Sequence, residues 1–115
     1  MKDGPLSLKS KAYALRIVKA YEYLKKNGEI VMSKQLLRSG TSIGANVAES
    51  QYAQSRSDFA SKLSIALKEA SETLYWIELL SEAGKFRAAS STSLISDCRE
   101  LIAMLVSSVK KSKKI

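Results

Sequence analysis

The 115-residue chain contains no histidine and only one cysteine, Cys98. The absence of histidine excludes every mechanism that uses imidazole as a base, an acid or a metal ligand, including the Glu-x-x-His pairs of di-iron bundles. A single cysteine forms neither an internal disulfide nor a thiolate zinc site within one chain. No glycine-rich phosphate loop is present either. The sequence therefore predicts a protein that is not an enzyme and that has no metal or cofactor.

Proline and long apolar runs are equally scarce. Pro5 is the one proline, and no apolar stretch approaches the roughly 20 residues that span a bilayer. Residues 1–5 are not followed by the apolar segment of a signal peptide. We therefore expect a cytoplasmic protein with one domain that covers residues 1–115.

Negative charge is sparse at both ends of the chain, and the net charge is +8. Residues 1–38 contain nine Lys or Arg against three Asp or Glu, and residues 85–115 contain seven against two. Residues 39–84 contain three against six. This distribution favours RNA or DNA as a partner. The alternative is that the charge serves only solubility.

Apolar residues recur at three- and four-residue steps in four segments. The predicted helices are at about 8–27, 31–52, 57–83 and 92–112. Gly28 and Gly84 are expected to end the first and third helices, and Ser55 with Asp58 matches a capping box for the third. Residues 85–93 are predicted as a linker. Four amphipathic helices with short links predict an all-α fold, an antiparallel up-down four-helix bundle.

Small residues form a row along the second segment. Gly40, Gly44 and Ala48 repeat every four residues, so they lie on one side of a helix. Glycine in a helix interior costs about 1 kcal/mol relative to alanine. Two glycines in one row therefore predict that a neighbouring helix approaches closely there.

The opposite side of this segment is polar. Its members are Arg38, Ser42, Asn46 and Glu49. These side chains are able to hydrogen-bond across a helix or subunit interface, and they are equally compatible with a solvated face. We predict that they belong to an oligomer interface.

The third segment has more apolar surface than one core needs. Ile65, Trp76 and Leu79 lie outside its main apolar stripe, close to Glu69 and Glu72. A surface helix of a monomer should be polar there, so this patch predicts an interaction surface. We assign all five residues to the oligomer interface. The alternative is that Trp76 packs against a neighbouring helix of the same bundle.

Cations follow one face of the first segment and recur near the end of the chain. The predicted nucleic-acid contacts are Lys9, Arg16, Lys19, Tyr23, Lys26, Lys110 and Lys111. A row of cations with an aromatic ring suits phosphate contacts together with base stacking. An ordinary solvated helix face is the alternative.

Two carboxylate pairs stand three residues apart, Glu69 with Glu72 and Asp97 with Glu100. Without histidine nearby, surface ion pairs explain them better than acid–base catalysis or metal binding.

Cys98 lies on the apolar side of the fourth segment, which predicts a buried structural thiol.

The sequence of the second and third segments resembles that of a known protein family. The second reads Gln35-Leu-Leu-Arg-Ser and then Thr41-Ser-Ile-Gly-Ala-Asn-Val-Ala-Glu49. Similar wording continues at Asp58-Phe59, Lys62-Leu63, Ala66-Leu-Lys-Glu-Ala70 and Tyr75-Trp-Ile77. This pattern is similar to the bacterial four helix bundle proteins, also called 23S rRNA intervening-sequence proteins. The chain departs from the usual sequence pattern of this family at Ser50, where glycine is frequent. It also lacks the proline that usually follows the first helix in the family.

The resemblance implies a four-helix bundle that assembles as a homo-oligomeric ring, often a pentamer, without known enzymatic activity. Related proteins that accompany diversity-generating reverse transcriptases are basic pentamers that bind nucleic acid. The resemblance and the charge together predict a non-catalytic, oligomeric protein that binds RNA or DNA or associates with ribosomal RNA. The alternative is an adaptor that binds a partner protein, such as a reverse transcriptase, through its exposed apolar surface.

Overall fold

A computed structural model describes residues 4–113 and contains four helices. They are α1 (Pro5–Lys26), α2 (Val31–Ser50), α3 (Arg56–Glu82) and α4 (Ala88–Lys113). No strand occurs in this part of the chain, so the predicted all-α class with four helices is confirmed. Each helix packs against the next one along the chain, and α4 also packs against α1. Within the same residues, no helix combines the length and the apolarity that crossing a membrane requires.

Two helices begin earlier than their apolar patterns predict. α1 starts at Pro5 because the fixed φ of proline and its missing N–H suit the first helical position. α4 starts at Ala88, so most of the predicted linker 85–93 is helical. Alanine has the highest helix propensity, and Ser91 donates its hydroxyl to the Arg87 carbonyl at 3.2 Å. The spacing of apolar residues did not predict this first turn of α4, because most of the side chains in the turn are exposed.

The predicted helix ends follow the expected chemistry. Gly28 and Gly84 have φ values of 87° and 75°, a backbone conformation that favours glycine. At the start of α3, Ser55 accepts a hydrogen bond from the Asp58 N–H at 3.0 Å. These features fix the end of α1 and both ends of α3.

The small-residue row of α2 faces α1. A Cβ on Gly40 would lie 2.7 Å from two carbons of Ile17, and one on Gly44 would lie 3.2 Å from the carbonyl oxygen of Ser10. The predicted close approach of a neighbouring helix is therefore confirmed at both glycines. Ala48 is exposed and does not extend the contact.

The core runs the length of the bundle and draws on all four helices. Its fully buried members include Tyr13, Ile17, Leu36, Ile43, Ala66, Ile77, Leu101 and Leu105. Cys98 is buried among them, as predicted, and its thiol donates to the Ala70 carbonyl at 3.3 Å. Burial raises the pKa of this thiol to about 11. Its environment is therefore that of a structural rather than a nucleophilic cysteine.

Polar contacts join α1 to α4 along a line that we call the α1–α4 seam. Tyr13 is buried and donates its phenol hydrogen to the Leu94 carbonyl at 2.9 Å. Burial also raises the pKa of this phenol. Arg16 reaches across the seam to the Ser93 hydroxyl at 2.9 Å and to the Asp97 carboxylate. The seam therefore combines a buried hydrogen bond with charged contacts at the surface.

Candidate nucleic-acid interface

Two of the cations predicted to contact nucleic acid already face carboxylates. Arg16 Nη1 lies 2.6 Å from Asp97 Oδ2. Lys9 Nζ lies 3.3 Å from Glu100 and 3.8 Å from Asp97. Two positive and two negative charges stand close together, so this cluster contributes little net attraction for a polyanion at a distance. A helical wheel of α1 alone does not reveal this, because both carboxylates belong to α4.

The other predicted residues of α1 remain available at the surface. Lys19 and Lys26 are exposed, and neither has a carboxylate partner among residues 4–113. Tyr23 is 41% exposed. Its ring stacks on Phe86, with centroids 6.3 Å apart and planes 16° apart. Phe86 is 9% exposed, so the tyrosine ring lies against a largely buried side chain.

Next to this aromatic pair, α1 and the start of α4 enclose a groove of about 570 Å³ that we call the seam groove. Its lining comprises Arg16, Lys19, Ala20, Tyr23, Phe86, Arg87, Ser90 and Leu94. Three cations and no carboxylate belong to this set. The groove therefore brings together positive charge, an exposed aromatic ring and a hydroxyl, which is the combination that phosphate and base contacts require.

Five residues of the seam groove were not predicted as contacts from the sequence, and three of them are aromatic or polar. Phe86, Arg87 and Ser90 fall in the segment interpreted as a linker, so no helix face was assigned to them. A signal was nevertheless present, since Phe86 stands between Lys85 and Arg87 immediately after the helix-ending glycine. An aromatic residue flanked by cations is a pattern that nucleic-acid-binding surfaces use.

The predicted C-terminal contacts lie far along α4 from the seam groove. Lys110 and Lys111 are both exposed in the last turns of the helix. Lys111 lines a second depression of about 700 Å³ between α3 and α4, together with Arg56 and Phe59. Arg56 was not predicted as a contact, because only the tertiary fold brings it beside the C-terminal lysines.

A charged network joins α2 to α3 at residues assigned to the oligomer interface. Arg38 Nη1 lies 3.2 Å from Glu69, and its Nη2 donates to Glu72. Trp76 donates its indole N–H to the same Glu72 carboxylate at 2.9 Å. The Arg38 guanidinium and then the indole hold the pKa of Glu72 below its usual value. Trp76 is half-buried and packs against the core of its own subunit, which supports the intramolecular alternative for this residue.

The remaining polar interface residues of α2 also have partners within the chain. Ser42 donates its hydroxyl to the Arg38 carbonyl at 2.6 Å, and Asn46 donates its amide to the Ser42 carbonyl at 2.8 Å. Glu49 pairs with Lys62 of α3 at 3.1 Å. These contacts give each side chain a role within one subunit and leave its role between subunits as a prediction.

An apolar strip lies on the outward side of α3. Ile65 and Leu79, both predicted at an interface, are 39% and 36% exposed, and Tyr75 between them is 57% exposed. We call these three residues the outer α3 strip. Tyr75 also meets Trp76 edge-on, with ring centroids 5.2 Å apart. Ile65 and Leu79 are therefore the predicted interface residues whose apolar atoms are most accessible, and Tyr75, which was not predicted, adds to this surface.

Both carboxylate pairs of the sequence face cations. Glu69 and Glu72 contact Arg38, while Asp97 and Glu100 contact Lys9. Among residues 4–113, no three His, Cys, Asp or Glu side chains are grouped so that they could hold a metal ion. Ion pairs therefore engage all four carboxylates, but the partners are Lys9, Arg16 and Arg38 rather than Lys62, Lys68 and Arg99, the partners that the sequence suggested.

Comparison with known proteins assigns a family to this arrangement. No curated protein matches the chain. A crystal structure at 1.70 Å of a protein with unknown function from the S23 ribosomal protein family of Bacteroides thetaiotaomicron VPI-5482 is 49% identical to it, with a TM-score of 0.89. The match covers 91% of this chain and 98% of the other. The 23S rRNA-intervening sequence protein family matches residues 5–107. The chain therefore belongs to the 23S rRNA-intervening sequence protein family.

Proposed function

We propose that this protein is a non-catalytic, oligomeric RNA-binding protein that attracts the RNA backbone to the seam groove. The observation that carries the proposal is that two cations without a carboxylate partner among residues 4–113, Lys19 and Arg87, line one groove. Arg16 is held by Asp97, so the net positive charge of the groove comes mainly from Lys19 and Arg87. Binding of this kind is strongly salt-dependent and weakly sequence-specific. A role on RNA would place the protein in the cytoplasm.

Assembly would multiply such weak contacts. We infer an antiparallel, up-down bundle, since Gly40 meets Ile17 whereas Gly44 meets Ser10, earlier in α1. We further infer a homo-oligomeric ring, a pentamer by family resemblance, in which subunits meet through the outer α3 strip and the polar residues of α2. Each additional subunit in contact with the same RNA raises the effective concentration of the next groove. Oligomerisation therefore supports useful affinity from a modest charge per groove.

The first experiment is light scattering after size exclusion, at low and high salt, with and without a mixed-sequence RNA. The proposal expects a particle several times the subunit mass of 12.6 kDa that binds RNA at low salt and releases it at high salt. A monomer that ignores RNA at every salt concentration would refute it.

Charge reversal then locates the binding surface. Lys19→Glu with Arg87→Glu should abolish detectable RNA binding at moderate salt. The matched control is Lys11→Glu with Lys34→Glu, because both lysines are exposed and outside the groove and the change in net charge is the same. An equal loss of RNA affinity in the two double variants would mean that only the overall charge of the protein matters. Unchanged binding in the groove variant would exclude the seam groove.

An adaptor function is the second candidate, and the outer α3 strip is the observation that favours it. Ile65, Tyr75 and Leu79 offer apolar surface to another protein such as a reverse transcriptase. Such a partner would still bind the Lys19→Glu and Arg87→Glu double variant and would be lost when Leu79 is replaced by glutamate. Loss of the partner in the groove variant alone would argue against the adaptor.

A further inference from the structure

We propose that the seam groove selects unpaired nucleotides, with one base stacked on the exposed face of Tyr23. The inference rests on the proposed RNA-binding function and adds the substrate class, single-stranded rather than duplex RNA. Phe86 lies offset against one side of the Tyr23 ring, with centroids 6.3 Å apart, so a base on the exposed side of the ring would extend this aromatic pair. Bases in a duplex are already stacked and paired, and their faces are not available to a side chain.

The surroundings of Tyr23 match one nucleotide in shape and charge. Phe86 is held against the fold and 9% exposed, so Tyr23 rests on a fixed support rather than a mobile side chain. Lys19 and Arg87 line the same groove as the ring and provide positive charge for the phosphate of a stacked nucleotide. Because an acidic or purely apolar segment would leave either the cations or the ring without a partner, a single-stranded nucleic acid fits this lining best.

Ser90 and the start of α4 add hydrogen-bond donors to the groove. The Ser90 side chain belongs to the lining, and α4 begins at Ala88. Backbone N–H groups in the first turn of a helix favour anions, and Ser90 of this turn belongs to the lining. Phosphate contacts and ring stacking are possible with any base, so the preference expected is for unpaired over paired RNA and not for one base.

The test compares three labelled probes of about twelve nucleotides by fluorescence anisotropy at one salt concentration. They are a single-stranded RNA, its duplex, and the same strand with abasic positions, which keeps the phosphates and removes the stacking rings. The single strand should bind more tightly than either of the others. The inference would be overturned if the duplex bound as tightly as the single strand. It would also be overturned if the strand with abasic positions bound as tightly as the intact single strand.

Variants of Tyr23 separate stacking from charge. Tyr23→Leu should weaken single-strand binding at least about fivefold and leave duplex and abasic binding unchanged, whereas Tyr23→Phe should bind like the wild type. Tyr52→Leu is the matched control, since Tyr52 is exposed and outside the groove. Thermal unfolding confirms that each variant is folded.

The outcomes distinguish the two proposals. If the charge reversal at Lys19 and Arg87 abolishes binding while Tyr23→Leu does not weaken it, RNA binding stands and the stacking inference fails. If no probe binds the wild type at low salt, both fail together. Selective loss of single-strand affinity in Tyr23→Leu, with Tyr23→Phe intact, establishes the inferred site.

Discussion

Gly40 lies so close to Ile17 that an added Cβ would come within 2.7 Å of both its Cγ1 and Cγ2. Ile17 is fully buried and branched at Cβ, so it has little freedom to move away. We expect Gly40→Ala to lower the free energy of unfolding by about 1–2 kcal/mol, because overpacking outweighs the better helix propensity of alanine. Urea denaturation measures the change.

A control on the same helix isolates the contribution of packing. Ala48 is exposed, so Ala48→Gly should cost about 1 kcal/mol from helix propensity alone. If Gly40→Ala instead stabilised the protein by a similar amount, the α1–α2 contact would have to be looser than the structure describes.

The contact between Arg38 and Glu72 should make stability sensitive to acid. Arg38 lowers the pKa of Glu72 in the folded state, so the contact contributes stability at neutral pH and loses it as the pH falls through that lowered pKa. We expect Arg38→Ala to cost about 0.5–1 kcal/mol at pH 7, a small value because the pair is partly exposed.

Urea denaturation at several pH values tests this dependence. The difference between wild type and Arg38→Ala should shrink once Glu72 is protonated, and Lys34→Ala should show no such trend. A difference that stayed constant down to strongly acidic pH would show that Arg38 acts through packing rather than charge.

The outer α3 strip should control assembly. Ile65→Glu or Leu79→Glu places a charge on a partly exposed apolar site, so a variant that thermal unfolding shows to be folded should lose an apolar interface between subunits. We expect a lower particle mass by light scattering. Leu15→Glu is the control, because Leu15 is 60% exposed on α1. An oligomer that survived both α3 substitutions would place the interface elsewhere.

Trp76→Ala should also lower the particle mass, but it is less informative than either α3 substitution. Its ring packs on the core of its own subunit and donates to Glu72, so truncation also destabilises the fold. A loss of oligomer in Trp76→Ala is therefore evidence for the interface only if Ile65→Glu and Leu79→Glu show the same loss.

Alkaline pH should destabilise the protein through Cys98. Its pKa is about 11 in the fold against an ordinary value of 9.0, so the folded state keeps a proton that the unfolded state releases. Stability is therefore fully present below pH 9 and falls as the pH rises towards 11, by about 2–3 kcal/mol from this group.

The matched variant removes the thiol. Cys98→Ala should be less stable than wild type at pH 7, because a small cavity remains, and the difference should narrow above pH 9. Tyr13 contributes in the same direction in both proteins, since burial raises its pKa as well. Parallel curves for the two proteins between pH 8 and 11 would exclude the thiol as the titrating group.

The sequence predicted the local features of the fold well, because they depend on residues close together in the chain. The glycine row on α2 and the Ser55 cap of α3 were both located correctly. The start of α4 was missed, because periodicity detects a helix by its buried face, and this turn is mostly exposed. Helix propensity and the Ser91 hydrogen bond determine the structure there instead.

The candidate site was predicted only in part. Lys19 and Tyr23 were identified from one helix face, but the neutralisation of Arg16 by Asp97 was not, because it depends on contacts between residues 81 positions apart. Arg87 was also not predicted, because only the tertiary fold brings it beside Lys19 and Tyr23. A single chain also says nothing about which exposed residues meet another subunit, so the assembly remains a prediction.

The α1–α4 seam has a consequence for synthesis of the protein. Its hydrogen bonds join residues 77 to 81 positions apart, between the first helix and the last. Contacts of such long sequence separation are the slowest to close, and here they cannot form before the last helix has left the ribosome. A nascent chain that has released only its first three helices exposes the α1 edge of the core and has no seam groove. The seam groove therefore forms only after α4 has been released from the ribosome.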